Sequence, residues 1–377
     1  MKKKKIILFS CRDPACGFNI RNFILNSDLL KKEVIDFKII CQEPCSYVFK
    51  NNYMINNSKI RFIPTIKRKK TLLNEATSII EEFYPDILIC GISGSFFGID
   101  EALLKICNQY NITSFGIQNS WGDFNKSFSS EPDIYLVLDK KAKEITKKNS
   151  SKKIKVIGSI KNESYTNKKF SKIKQQIREE LNIKKKELVF GFFGQDINQK
   201  YYLNILRYYL NYYKKFFSSS YFFYKTHPKE NNKAEKLIED SFINNKDKLI
   251  IERGELCMEK CLVLCDVVAS LFSSCIREHQ YIIKLSKEPI GIPLFLMLDN
   301  NARKYYFQKT NLNEIPFSKN ISLVIKKEDD FRFINSFSKI SSMKKNIRDQ
   351  ILKNTYVKNS NSKKLLKYIL NFDGERC

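Results

Sequence analysis

Only two histidines occur in the 377 residues, and one of them, His227, stands in the run YKTHPKE between Lys225 and Lys229. An aromatic, strand-like run, SSSYFFY, precedes it, and Pro228 follows. An imidazole flanked by ammonium groups at the end of a strand is equipped to hold an anion. Further along, CDVVASLFSSCIREHQ (265–280) reads as a buried strand, then Ser273 and Ser274, then a helix. Free backbone N–H groups and the positive end of the dipole favour an anion at that helix start, and hydroxyls there add donors. Glu278, one turn into the helix, can accept hydrogen bonds from ribose hydroxyls. FFGQD (192–196) puts Gln195 in an equivalent place, after another strand-like run.

The first half offers three more such loops. SCRDPACGFNIRN (10–22) carries Arg12, Asp13, Gly17 and Asn19. CGISGSFFG (90–98) is small and flexible, with Ser93, Gly94 and Ser95. GIQNSWGDF (116–124) holds Gln118, Asn119, Asp123 and the only tryptophan, Trp121. In open α/β sheets, ligands bind beyond the carboxyl ends of strands, where all of these loops fall. For a reaction needing a base in this half a carboxylate is favoured, since both histidines lie in the second half. Asp13 is the first candidate and Asp123 the second; each is also a residue type that caps helices and closes turns.

Other constellations are weaker. Cys257, Cys261 and Cys265 share a helical face, a packing pattern rather than a Cys-x2-Cys metal site. His279 reads as a surface residue. No Walker A loop, G-x-G-x-x-G or HExxH occurs. The tyrosine-rich stretch 201–224 reads as an amphipathic helix that packs one face, although its rings could also stack on bases or sugars.

The elements that must position these residues are legible as a βα rhythm. Strand-like runs at 5–10, 36–42, 59–64, 85–93, 112–118, 133–139 and 153–159 alternate with helical stretches. A Lys-, Ser- and Asn-rich stretch at 162–176 reads as a linker leading into a helix. A second series follows, with strands at 187–195, 220–226, 248–254 and 265–272 and in EPIGIPLFLML, before a helical, polar tail. The expected class is α/β, with parallel sheets covered by helices on both faces. The expected division is 1–165, 166–325, and C-terminal helices over 326–377.

Composition sets the outer limits. An apolar fraction of 43% supports real cores, and a charged fraction of 28% is not that of a disordered chain. The eleven cysteines are scattered, which fits reduced thiols in a cytoplasmic protein. MKKKK followed by IILFS has the charge of a signal peptide, but Arg12 and Asp13 cut its apolar run short. No apolar run is long enough to span a bilayer. A net charge of +27 is compatible with anionic partners, yet lysines spread along a Lys-, Asn- and Ile-heavy chain also reflect an AT-rich genome.

The order strand, Lys-x-His-Pro, then Asp-Val-Val-x-Ser-x-x-Ser-Ser and a helix with Glu278 resembles the nucleotide-binding lobe of GT-B glycosyltransferases. In motif style it is similar to bacterial sialyltransferases, polysialyltransferases, Kdo transferases and CDP-glycerol transferase-like enzymes. GIQNSWGD looks like their Gln-His-Gly loop, with Asn-Ser-Trp in place of His-Gly. KVIGSIKNESY resembles Val-x-Gly-Ser-Pro-Lys, with Ile160 where they have proline. The resemblance spans roughly 5–300. It implies two Rossmann-like domains facing across a cleft, the first binding an acceptor and the second a nucleotide-sugar, with C-terminal helices packing back across the linker. It also implies sugar transfer from a nucleotide-activated donor, a CMP-linked acidic sugar among the options, to a glycan or lipid-linked acceptor in surface polysaccharide synthesis.

On that resemblance, Gln195, Lys225, His227, Pro228, Ser273, Ser274 and Glu278 face the donor. Arg12, Asn19, Gln118, Asn119 and Trp121 lie on the acceptor side, and Asp13, Asp123 and His227 are the catalytic candidates. No metal and no cofactor beyond the donor is implied. The partners expected are the donor, the acceptor and an anionic inner membrane touched peripherally, but not nucleic acid. Two rival readings stay open: a UDP-sugar 2-epimerase, although the Arg-Pro-Glu segment of those enzymes is missing here, and a basic nucleic-acid-binding protein.

Overall fold

The computed structural model describes the chain apart from residues 1–3, 32–34, 51–53, 93–95, 196, 198, 228–229, 231, 311, 313–314, 316–319, 354–359 and 373–377. The chain divides into two compact units, one of Met1–Thr166 with Lys358–Cys377 and one of Asn167–Val357. Each is built on one parallel sheet with helices threaded between its strands.

The first unit holds β1 (Lys5–Cys11), α1 (Pro14–Asn26), β2 (Ile35–Gln42), α2 (Tyr47–Lys50), β3 (Ile60–Ile63), α3 (Lys69–Phe83), β4 (Ile87–Ile92), α4 (Ile99–Gln109), β5 (Thr113–Gln118), β6 (Ile134–Val137), α5 (Lys140–Asn149) and β7 (Lys153–Val156). Its strand order is β3-β2-β1-β4-β5-β6-β7. The order reverses between β1 and β4, and that reversal is where open α/β sheets bind ligands. Alternate residues of the central strands feed opposite layers. Ile7, Phe9, Ile87 and Ile89 pack with Ile20, Phe23 and Ile24 of α1. Leu8, Leu88 and Cys90 pack with Leu72, Ala76 and Ile79 of α3 and Leu103 of α4.

The second unit holds α6 (Phe170–Glu180), β8 (Val189–Phe193), α7 (Gln199–Phe217), β9 (Tyr221–Lys225), α8 (Lys233–Ser241), β10 (Leu249–Glu252), α9 (Met258–Leu264), β11 (Val267–Ser270), α10 (Ser274–Leu285), β12 (Ile292–Leu296), α11 (Asn300–Thr310), β13 (Leu323–Ile325) and α12 (Phe337–Lys353). The order β10-β9-β8-β11-β12-β13 reverses between β8 and β11. The last helix, α13 (Ser362–Leu370), returns to the first unit. There Leu365, Leu366 and Ile369 join the α1 layer, and Glu163 accepts hydrogen bonds from the backbone N–H and hydroxyl of Ser362.

The tyrosines of α7 serve packing. Tyr202, Tyr209 and Tyr213 are fully buried, while Tyr208 is exposed. Tyr212 stacks on Phe331 with centroids 4.2 Å apart and donates its hydroxyl to the carbonyl of Ile334. Of the three cysteines at helical spacing, Cys261 and Cys265 are buried and Cys257 is exposed. His279, expected at the surface, is fully buried instead. It lies on the buried face of α10, and burial holds its pKa down at about 3, so the ring is neutral.

Candidate functional site

In the first unit, the residues meeting at the β1/β4 reversal are Ser10, Arg12, Asp100 and Glu101. Ser10 lies near the end of β1 and Arg12 just after it; Asp100 and Glu101 are the second and third residues of α4. Side chains of Asp100 and Glu101 are almost entirely buried. Asp100 accepts the Ser10 hydroxyl and, at 3.0 Å, the backbone N–H of Arg12. Glu101 reaches back to accept the Gly98 N–H at 2.8 Å, and Arg12 stands 3.6 Å from its other oxygen. Gln42, from the end of β2, accepts the Ile99 N–H at 2.9 Å. Arg12 packs directly over Gly98, and a Cβ there would push its side chain aside.

Two adjacent carboxyl groups in so dry a place cannot both ionise freely. Burial raises the pKa of Asp100, while the Ser10 hydroxyl and Arg12 oppose that rise. Burial and the neighbouring charge of Asp100 raise Glu101 further, to about 8, with Arg12 again opposing. The Arg12 contact resembles an ion pair, but it is outweighed: the pair keeps one proton at neutral pH, on Glu101. The arrangement therefore presents one acid and one carboxylate side by side, a set suited to moving protons.

The sequence-derived candidates of this unit are held in their own loops. Asp13 caps α1, accepting the Ala15 N–H at 2.8 Å. Asp123 accepts the backbone N–H groups of Asn119 and Ser120 at 3.0 and 2.7 Å, closing the turn after β5. Gln118 is buried and donates to the Asp123 carbonyl. Asn19 donates to Asn119 at 2.6 Å and accepts the Lys161 N–H, tying α1 to the loop after β5. Trp121 is buried, and its indole N–H donates to Asp139 at 3.0 Å. Arg12 also donates to the Phe96 carbonyl at 2.8 Å. Ser93, Gly94 and Ser95 lie outside the described residues.

Asp100 and Glu101 were not singled out by sequence. Acids in the first turn of a helix ordinarily face water and complement the dipole. The available signal was positional: they follow β4, next to the strand after which Arg12 sits.

In the second unit, the loops after β8, β9 and β11 converge. Gln195 accepts the Phe272 N–H at 3.1 Å and the Ser270 hydroxyl at 3.4 Å, joining the β8 loop to the β11 loop. Glu230 accepts the backbone N–H of His227 at 3.1 Å. Lys225 lies 4.0 Å from Glu252. Ser273 is the N-cap of α10 and accepts the Cys275 N–H at 3.4 Å, and Ser274 is the first helical residue. Glu278 is buried on α10. Pro228 lies outside the described residues. Thus the His227, Gln195 and Ser273–Ser274 loops occupy one end of one sheet, with the helix start among them.

Gly194 is the tight point of this end. A Cβ there would lie 2.9 Å from the His227 nitrogen and 3.1 Å from the Lys225 carbonyl oxygen, both backbone atoms. Gly194→Ala is therefore expected to force the β8 and β9 loops apart and cost about 1–3 kcal/mol in urea unfolding. An unchanged unfolding midpoint would mean that these loops part freely.

No protein-family model matches the sequence, and no curated protein matches it. Solved structures do. A UDP-GlcNAc 2-epimerase from Neisseria meningitidis bound to UDP-GlcNAc superposes with a TM-score of 0.65 at 13% identity, covering 97% of this chain and 99% of that one. A putative UDP-N-acetylglucosamine 2-epimerase from Listeria monocytogenes gives 0.66 at 12% identity, covering 100% and 98%. A glycosyltransferase from Rickettsia africae gives 0.56 at 15% identity, covering 98% and 100%. The chain thus has the two-unit α/β fold of GT-B-type proteins, with two parallel sheets and interleaved helices. No helix among the described residues is long and apolar enough to cross a membrane.

Proposed function

We propose that this protein is an enzyme acting on a nucleotide-activated sugar, with a UDP-sugar 2-epimerase as the leading reading. The observation that carries it is the buried Asp100–Glu101 pair beside Arg12. Inverting a carbon centre of a sugar removes a proton from one face and returns one to the other. A neighbouring acid and carboxylate supply one donor and one acceptor at neutral pH. In this reading Arg12 steadies negative charge near the pair, and proton transfer falls to Asp100 and Glu101 rather than Asp13 or Asp123. The solved 2-epimerases of the same fold support the choice of reaction.

Phosphate binding is assigned to the second unit. The positive end of the α10 dipole, with the Ser273 and Ser274 hydroxyls, takes phosphate oxygens. His227, Lys225 and Gln195 stand in the loops beside them, and Glu278 is the candidate for the ribose. No metal is needed for this chemistry.

A sugar transferase is the second reading, favoured by the order of Lys-x-His-Pro and Ser-Ser and by the missing Arg-Pro-Glu segment. It would use a CMP-linked or other donor and a glycan or lipid-linked acceptor. Asn19, Gln118, Asn119 and Trp121 would then shape the acceptor side.

One incubation separates the two. With UDP-GlcNAc in heavy water, a 2-epimerase yields the epimer with deuterium at C2; a transferase leaves C2 unexchanged and instead consumes its donor when acceptor is added. A parallel thermal-shift series with UDP, CMP, CDP and GDP tests binding itself. A ligand at 100 times its dissociation constant stabilises by about 2.7 kcal/mol. If no nucleotide raises the melting temperature, the nucleotide-sugar reading fails as a whole.

A further inference from the structure

Cys11, Cys41 and Cys45 form a cluster that the proposed reaction does not use. Cys11 ends β1, and Cys41, next to last in β2, is its partner in the parallel register. Neighbouring in-register residues of parallel strands project to the same face, so the two thiols meet there. Cys45 enters from the turn after β2, where its N–H bonds the Gln42 carbonyl at 2.9 Å. The three sulphur atoms all lie within 4.8 Å of one another, with Cys45 and Cys11 3.5 Å apart. All three residues are fully buried. Gly17 of α1 leaves the space they occupy, since a Cβ there would strike the Cys45 sulphur.

Buried cysteines often do no more than pack. Three converging on one point from two strands and a turn is a narrower arrangement. Among the described residues it is the one group of three metal-ligating side chains whose donor atoms are so close. The donors are all sulphur, which rules against magnesium, calcium and manganese and favours soft, thiophilic ions. Metal–sulphur bonds of about 2.3 Å place three ligating sulphurs about 4 Å apart in a trigonal plane. That value lies between the observed 3.5 Å pair and the 4.8 Å limit. The 3.5 Å separation is also well beyond the roughly 2.05 Å of a disulfide.

We propose that Cys11, Cys41 and Cys45 form a three-thiolate structural site for a thiophilic d10 metal ion, tying β1, β2 and the following turn together. Loading by a divalent ion converts three thiols into three metal-bound thiolates and releases three protons to solvent; no electrons move. The site lies beneath the β1 loop that carries Arg12, so metal binding would stiffen the base of that loop.

Cadmium is a suitable probe because its thiolate bonds absorb in the ultraviolet. Titrating the reduced full chain with Cd2+ is expected to give one tight equivalent, a sulphur-to-cadmium absorption band, and a melting temperature that rises with metal concentration. Zn2+ should compete. Cys11→Ser, Cys41→Ser and Cys45→Ser should each weaken binding at least tenfold, whereas Cys257→Ser and Cys107→Ser should not. X-ray absorption at the cadmium edge of the wild-type protein, which needs no variant to fold, should count three sulphur neighbours. A folded, reduced chain that takes up no stoichiometric Cd2+, an edge spectrum dominated by oxygen or nitrogen, or a Cys11–Cys45 disulfide in freshly isolated protein would each overturn the proposal.

Discussion

Asp266→Asn is expected to destabilise the second unit by about 3–5 kcal/mol, the scale found when a buried ion pair loses one partner. Asp266 immediately precedes β11 and is almost fully buried. Lys174 of α6 donates to it at 2.7 Å and Lys344 of α12 at 2.5 Å, while Arg178 lies at 3.5 Å. Its other oxygen accepts the Val189 N–H at 2.9 Å, so the same carboxylate fixes the start of β8. Burial alone would raise its pKa, but Lys174 and Lys344 outweigh that and hold it well below the ordinary value. Asparagine keeps the shape and the acceptor for Val189 but leaves three cations crowded without a counter-charge. Lys174 already sits with its pKa lowered to about 8, first by burial and then by its cationic neighbours. The loss is a large share of the 5–15 kcal/mol that holds most domains together.

The same residue sets a pH dependence. A carboxylate with a depressed folded pKa adds stability above its unfolded value of 3.8 and loses it as pH falls through the folded value. Wild-type protein should therefore lose stability steeply below about pH 4, and Asp266→Asn should flatten that limb. Urea unfolding at several pH values reads both effects. A variant within 1 kcal/mol of wild type at pH 7 would show that the lysines find other partners, and the network would then not be the brace described.

Most strands could be read from the chain because parallel strands buried on both faces are continuous apolar runs. ILICGI and VFGFF are buried at every position in β4 and β8. β13 escaped for the opposite reason: its three residues, LVI, are too short to carry a pattern between polar neighbours. The ligand-facing ends were legible from the rule that loops after strands bind, which is how Arg12, Gln195, His227 and Ser273 came to attention. Scarcity was a poorer guide. Trp121 and His279 were each conspicuous by rarity, yet the first bonds Asp139 in the interior and the second is a neutral core residue. What sequence could not supply was the burial of Asp100 and Glu101. That burial depends on Arg12, just after β1, and Gln42, at the end of β2, which become neighbours of α4 only through the strand order.

Glu101→Gln is the substitution expected to change activity most. A residue that transfers a proton in the rate-limiting step contributes about 10²–10⁴-fold, so turnover of the nucleotide-sugar should fall by that factor. Nucleotide affinity, assigned to residues of the second unit, should stay within about a factor of three. Glutamine retains the carbonyl oxygen that accepts the Gly98 N–H, so the helix start is preserved. It cannot hold or release the proton. The stability consequence has a definite sign. Glu101 has a folded pKa raised to about 8 against an ordinary value of 4.5, so the folded state keeps a proton that the unfolded state gives up. The stability tied to that proton is whole below about pH 4.5 and is lost as pH rises to about 8. Glu101→Gln has no such proton to lose. Its stability should be nearly level from pH 5 to 9, crossing above wild type at the alkaline end, while Asp100→Asn should bring the Glu101 pKa back down by removing the neighbouring charge. A variant that loses activity but keeps the wild-type slope of stability with pH would show that Glu101 does not carry the buried proton, and the acid–base assignment would fall with it.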